Sequence, residues 1–112
     1  MLRKITPNKN WSFDLTENAQ NDVKEIWQYL SERSLISADK LITELFGKFQ
    51  LLAKNPKLGK ARDELFLNLR SFPFKKYLIF YVPTENGIEI FRVVHSSRNV
   101  QGLFENFFDN LK

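Results

Sequence analysis

The stretch YLIFYVPTENGIEIFRVVHSSRN, residues 77–99, decides the fold. YLIFYV is apolar on both sides and rich in aromatic and β-branched residues, the composition of a strand in the middle of a sheet. PTENG supplies turn residues, and IEIFRVV follows as the partner strand of a hairpin. Just upstream, ELFLNLRSF alternates Leu65, Leu67 and Leu69 with Phe66, Asn68 and Arg70, the period of a strand with two unlike faces, joined to the next strand by PFKK. The second half of the chain is therefore expected to form three antiparallel strands.

The first half supplies helices to cover them. WSFDL, residues 11–15, alternates aromatic and polar residues as a short strand does, and Thr16 stands where a helix cap is needed. Ala19, Val23, Ile26, Trp27 and Leu30 recur at helical spacing and predict a helix over 17–33. Ser37 marks a second start, and Leu41, Ile42, Leu45, Phe46, Phe49, Leu52 and Ala53 carry an apolar stripe over 37–54, ended by Pro56 and Gly59. Beyond the last strand, Val100, Leu103, Phe104, Phe107, Phe108 and Leu111 make a third stripe, interrupted by Gly102, which predicts a helix that packs on the core or docks on a partner. The fold class is α+β: a small antiparallel sheet, a helical hairpin and a short C-terminal helix.

With 112 residues, 43% hydrophobic and eleven phenylalanines, the chain is expected to form one domain over 1–112 with a core that needs no staples. It has no cysteine, which removes disulfides, thiolate metal sites and cysteine nucleophiles. The opening MLRKITPNKNW has no signal-peptide character, and no window approaches a membrane span, so a cytoplasmic protein is expected. The net charge of +4 is uneven. Between Lys54 and Lys76 there are seven basic residues and two acidic ones, whereas the remainder is close to neutral. Either a solvated basic loop or an acidic partner accounts for that.

Chemistry has few candidates. The thirteen acids fall mostly on helix exteriors and turns, so no carboxylate pair for hydrolysis stands out. One histidine without cysteines or a carboxylate pair does not make a metal site, and there is no Gly-rich phosphate loop. No metal or cofactor is expected. What remains is a set of cations around the sheet: Arg62, Arg70, Lys75, Lys76, Arg92, His95 and Arg98. Such a set can hold RNA phosphates and stabilise attack by a 2′-hydroxyl with histidine as acid or base, or it can bind an acidic peptide. By alternation Arg92 shares a face with Ile88, Ile90 and Val94, a position that calls for a carboxylate or a helix-end carbonyl as partner. His95, just past the strand end, reads equally as a hydrogen-bonded hinge.

The segments FDLTENAQNDVKEIWQYL, NPKLGKARDEL, LRSFPFKKYLIFYV and IEIFRVVHSSRN, taken in order, resemble the RelE/ParE superfamily of bacterial type II toxins, and its ParE branch of plasmid stabilisation proteins above all. The resemblance implies a small curved antiparallel sheet with the hairpin packed on one face. It also implies a cognate antitoxin as partner, a homodimer or a heterotetramer with that antitoxin, and DNA gyrase as the target, inhibited by binding. Arg92 through Phe108, with Arg98, Leu103, Phe104, Phe107 and Phe108, would then form most of the contact surface. The alternative, a RelE-like nuclease that cuts mRNA on the ribosome without metal, would use Arg62, Arg70, Arg92 and His95. Against that branch, Ser96 follows His95, and no tyrosine occurs after Tyr81. Asn99 also stands where the family commonly has an aspartate.

Overall fold

The computed structural model describes residues 12–104. Strand β1 (Ser12–Leu15) leads through Thr16 into helix α1 (Glu17–Ser31), and helix α2 (Leu35–Lys54) returns antiparallel to it. Strands β2 (Lys60–Ala61), β3 (Arg70–Phe74), β4 (Tyr77–Thr84) and β5 (Gly87–His95) follow, then a short helix α3 over 100–104. The sheet is open, with strand order β1-β5-β4-β3-β2. Strands β2 to β5 pair antiparallel, one strand more than the three expected because Lys60–Ala61 adds β2, but β1 lies parallel to β5, Ser12 opposite Gly87 and Leu15 opposite Ile90, so the sheet is mixed.

Both helix starts are capped by hydroxyls. Ala19 N–H donates to Thr16 Oγ1 (3.1 Å), and Ser37 N–H donates to Ser34 Oγ (3.1 Å). Ser34 rather than Ser37 is the cap of α2, so that helix begins two residues earlier than its apolar stripe indicates, while α1 ends at Ser31, two residues short of the expected 33. Trp27 Nε1 donates to Asp39 Oδ1 across the hairpin (2.8 Å), which takes Trp27 out of the core and makes it a tie between the helices.

The hairpin covers one face of the sheet. Leu45, Phe49, Leu52 and Ala53 of α2 and Ala19 of α1 pack on Phe74, Ile79, Tyr81, Ile88, Ile90 and Val93. Phe13, Phe46 and Phe49 meet edge to face or tilted at ring separations of 5.2 to 5.8 Å. Truncating a side chain as buried as Phe49 costs about 3–5 kcal/mol.

The opposite face has its own small core of Leu65, Leu69, Phe80, Val94 and Phe104. Here the expected strand over ELFLNLRSF does not form. Only Arg70 onward is extended, with Pro73 and Phe74 inside β3. Residues 62–69 fold into a compact loop, closed by Arg62 N–H donating to Leu69 O (2.8 Å) and by Asp63 Oδ1 accepting from Asn68 N–H (2.8 Å), with Asn68 at φ +70°. Leu65 and Leu69, four apart, point into the second core, while Leu67 between them is 73% exposed. Helix α3 closes this face: Asn99 Oδ1 accepts from Gly102 N–H (3.2 Å), and Phe104 packs edge-on against Phe80 at 5.1 Å. Phe107, Phe108 and Leu111 lie outside the described residues.

A bulge sets the phase of β5. Tyr81 pairs with Ile90 and Phe80 with Arg92, so Phe91 is an extra residue. Before it, Ile88 and Ile90 face the hairpin; after it, Val93 does, and Arg92 and Val94 turn to the other face. Strict alternation therefore puts Arg92 with Ile88 and Ile90, which the bulge turns to the opposite face, while Val94 does share its face.

Candidate binding surface

Where β1 stops, α1 takes over the free edge of β5. Thr16 Oγ1 donates to Phe91 O (2.9 Å), and Asp22 Oδ2 accepts from Val93 N–H (2.9 Å). Asp22 also receives the Arg92 guanidinium in a two-pronged pair, Nε to Oδ2 at 2.7 Å and Nη2 to Oδ1 at 2.9 Å. The side chains are 20% and 10% exposed. Arg92 has the carboxylate partner its position calls for, supplied by an acid on the inward face of α1. Sequence reasoning passed over Asp22, although it stands three residues after Ala19 and four before Ile26, on the buried stripe.

Arg62 and Arg70 are also committed. Arg62 Nε donates to Glu64 Oε2 (2.8 Å) and Nη1 to Ser71 Oγ (3.3 Å), with the guanidinium 5.7 Å from the Phe80 ring. Arg62 holds the Glu64 carboxyl below its usual range. Arg70 Nη1 donates to Gly59 O (2.6 Å) and Lys57 O (3.3 Å), clamping the loop after α2. The same loop is fixed from below by the buried Tyr81, whose hydroxyl donates to Pro56 O (2.8 Å) and accepts from Gly59 N–H (2.8 Å). Burial pushes the Tyr81 phenol above its ordinary pKa, against the weaker opposing pull of the Gly59 N–H and of Arg70. No Cβ fits at Gly59, because it would sit against the Tyr81 hydroxyl and Ser71 O.

The four residues grouped for nuclease chemistry are thus divided. Arg62 and Arg92 root on the face that carries Phe80, whereas Arg70, opposite Tyr81, and His95, opposite Tyr77, belong to the hairpin face. His95 Nδ1 accepts from Ser97 N–H (3.2 Å) and lies 2.8 Å from Ser97 Oγ. Since an N–H only donates, the proton of the neutral ring sits on Nε2.

The remaining cations collect at one end of the sheet. Lys75 and Lys76 form the β3–β4 turn, and Ser96 N–H donates to Lys76 O (2.8 Å), bringing the chain after β5 beside that turn. Arg98 follows, its N–H on His95 O (3.0 Å). Lys75 Nζ lies 3.5 Å from Glu44, an exposed pair of little energetic weight. Lys76 and Arg98 have no ion-pair partner among the described residues. Leu103 is half-buried on α3, while Phe104 is 2% exposed and serves the core. A groove of about 550 Å³ runs between α2 and β3, with Leu51 and Phe72 to Phe74 on its walls and Lys48 and Lys75 on its rim. The described residues hold no cluster able to ligate a metal and no helix long and apolar enough to cross a membrane.

The fold is one already seen in a solved structure titled Chromosomal ParDE TA system from P. aeruginosa, which superposes with a TM-score of 0.62 over 75% of this chain and 94% of that one, at 17% identity. Residues 13–100 match the family model for the ParE toxin of the type II toxin-antitoxin system, parDE. The chain is also 31% identical over 88 residues to Toxin ParE1 of Mycobacterium tuberculosis, in strains CDC 1551 / Oshkosh and ATCC 25618 / H37Rv, covering 77% of this chain and 90% of those proteins. The chain belongs to the ParE toxin family.

Proposed function

We propose that the chain, as one toxin domain over 1–112 acting in the cytoplasm, inhibits DNA gyrase by binding it and is neutralised by a cognate antitoxin. The observation that carries this reading is the division of labour among the cations. Arg62, Arg70 and Arg92 are tied to Glu64, to loop carbonyls and to Asp22, whereas Lys75, Lys76 and Arg98 gather beside His95 at one end of the sheet. Charges that hold the fold are poorly suited to stabilise a developing negative charge, which needs donors aimed at one reacting group. Charges gathered at an exposed end suit electrostatic steering toward a partner. In this reading Arg92 and Phe104 serve the fold, and the gyrase contact surface is formed by His95, Arg98 and Leu103, with Lys76 added beside them.

For the antitoxin, the groove between α2 and β3 offers apolar walls, with Lys48 on the rim and Lys75 beside Glu44, a match for the apolar face of an amphipathic segment. The edge of β3 is paired by β2 only at Arg70 and Ser71, so Phe72 to Phe74 have an open side there. The test is a gyrase supercoiling assay beside programmed-ribosome mRNA cleavage, both with purified protein. Inhibited supercoiling with intact mRNA is expected. Codon-spaced cuts that vanish in His95→Ala would overturn the reading in favour of a nuclease.

A further inference from the structure

A second cavity, of about 450 Å³, opens between the C-terminal half of α1 and the end of the β4–β5 hairpin. Its floor is apolar, built from Ile26, Leu30 and Val93. On one wall Glu25, Tyr29 and Arg33 follow each other four residues apart, a single stripe of α1 and its C-terminal end. The Arg33 guanidinium lies 4.7 Å over the Tyr29 ring. On the other wall the Tyr77 ring meets the His95 ring edge-on at 5.9 Å, and Lys76 and Arg98 stand at the mouth. We propose that this cleft binds a phosphorylated nucleoside, the base lying against Tyr29 and Tyr77 and the phosphate held by Lys76 and Arg98 with Arg33.

Three features select that chemistry. First, the cations at the mouth are not tied up within the fold: Lys76 and Arg98 have no ion pair among the described residues, and Arg33 has only the Tyr29 ring. Second, an apolar floor flanked by aromatic rings would be wasted on a bare inorganic anion, whereas every nucleobase has a π-face to offer. Third, the cleft holds one uncommitted carboxylate, Glu25, since Asp22 is taken by Arg92. An acidic peptide would bring its carboxylates against Glu25. A nucleotide keeps its negative charge at one end and presents hydroxyls or an exocyclic amine to Glu25 at the other. The donors agree. His95 carries its proton on Nε2 because Ser97 occupies Nδ1, and the Tyr77 phenol, pushed up first by burial and then by the neighbouring Tyr29, remains an O–H donor. The volume lies within the ordinary range for small-ligand sites. None of this depends on which macromolecule the toxin attacks.

The test is a titration of the full ¹⁵N-labelled chain, followed by amide shifts and by calorimetry. The probes are AMP, a 5′-phosphorylated trinucleotide, inorganic phosphate, and a pentapeptide of four glutamates and one tyrosine. AMP is expected to saturate and to move the amides of Tyr29, Tyr77 and His95. Its affinity should fall about tenfold in Tyr29→Ala, the loss of one stacking surface, and at least as far in the Lys76→Ala/Arg98→Ala double variant. Lys40→Ala on the far helix should leave it unchanged. A trinucleotide that binds more tightly than AMP assigns the site to a strand end; one that binds equally or less tightly assigns it to a free nucleotide. Phosphate binding as tight as AMP, peptide binding in place of AMP, or no saturable AMP binding by the parent protein each overturns the proposal. Should a variant fail to fold, the shift map of the parent protein decides alone.

Discussion

Asp22→Ala is the substitution with the largest predicted effect on a polar group. The Asp22 carboxylate accepts three hydrogen bonds, two from Arg92 and one from the backbone of Val93, at 2.7 to 2.9 Å. Removing it leaves the Val93 N–H without an acceptor at a buried site, a cost of about 1–3 kcal/mol. It also strips the guanidinium of its counter-charge. A fully buried pair broken on one side costs roughly 3–5 kcal/mol, but Arg92 keeps 20% of its side-chain surface in water, so only part of that applies. The sum is about 3 kcal/mol. At about 4 °C per kcal/mol for a domain of this size, Tm should fall by roughly 12 °C.

Arg92→Met should cost less, about 1–2 kcal/mol, because Asp22 retains the Val93 bond. The double variant closes a cycle, measured by thermal and urea unfolding, with a coupling of at least about 1 kcal/mol. A fall in Tm under 3 °C for Asp22→Ala, or strictly additive single effects, would show that the pair does not hold α1 to β5. Should Arg92 be a contact or catalytic group instead, Arg92→Met would abolish activity while leaving Tm unmoved.

Three further outcomes follow from other parts of the fold. Tyr81→Phe, which loses the contacts to Pro56 and Gly59, should cost about 1–3 kcal/mol. The phenols of Tyr77 and Tyr81 are raised in the folded state, so their contribution is complete below the unfolded pKa of 10.0 and is lost as pH climbs through the folded values. Melts from pH 9 to 12 should therefore show falling stability, with a shallower slope in Tyr81→Phe; equal slopes would contradict the assignment. Gly87→Ala places a Cβ against the Ser12 backbone at a φ of +152°, so it should destabilise by about 2 kcal/mol or more and raise amide exchange in β1; protected β1 amides in a stable variant would refute the close approach. Asn99→Asp preserves the cap on α3 and should change stability by less than about 1 kcal/mol, while Asn99→Ala should cost about 1 kcal/mol, both read by thermal melt.

The β4–β5 hairpin was legible because YLIFYV and IEIFRVV carry their burial in their composition, and the helical hairpin because its stripes repeat over four and five turns. The misread elements are those whose partners are distant. Leu65, Leu67 and Leu69 alternate like a strand, yet the turn made by Asp63 and Asn68 sends two of them into one core and the third into solvent. The bulge at Phe91 has no mark in the sequence, since nothing local distinguishes an extra residue in a run of β-formers. Of the candidate site, the need of Arg92 for a carboxylate was readable, and so was the acid at Asp22; that the two meet across 70 residues was not. Nothing local singles out Glu25, Tyr29 and Arg33, which gain an opposite wall only where the end of the β4–β5 hairpin lies against α1.

The seam between β1, the start of α1 and β5 also fixes when the molecule can exist. Thr16 waits for Phe91, 75 residues later in the chain. At synthesis rates of about 5–20 residues per second, that is roughly 4–15 s. For the second half of that interval the two helices, complete by Lys54, wait for the last strand of the sheet they lie on. The last strand acts as a keystone: assembly is withheld until nearly all of the described chain has been made, then closes both sides of β5 at once, and any protein that catches the nascent hairpin first meets a chain that is not yet a toxin.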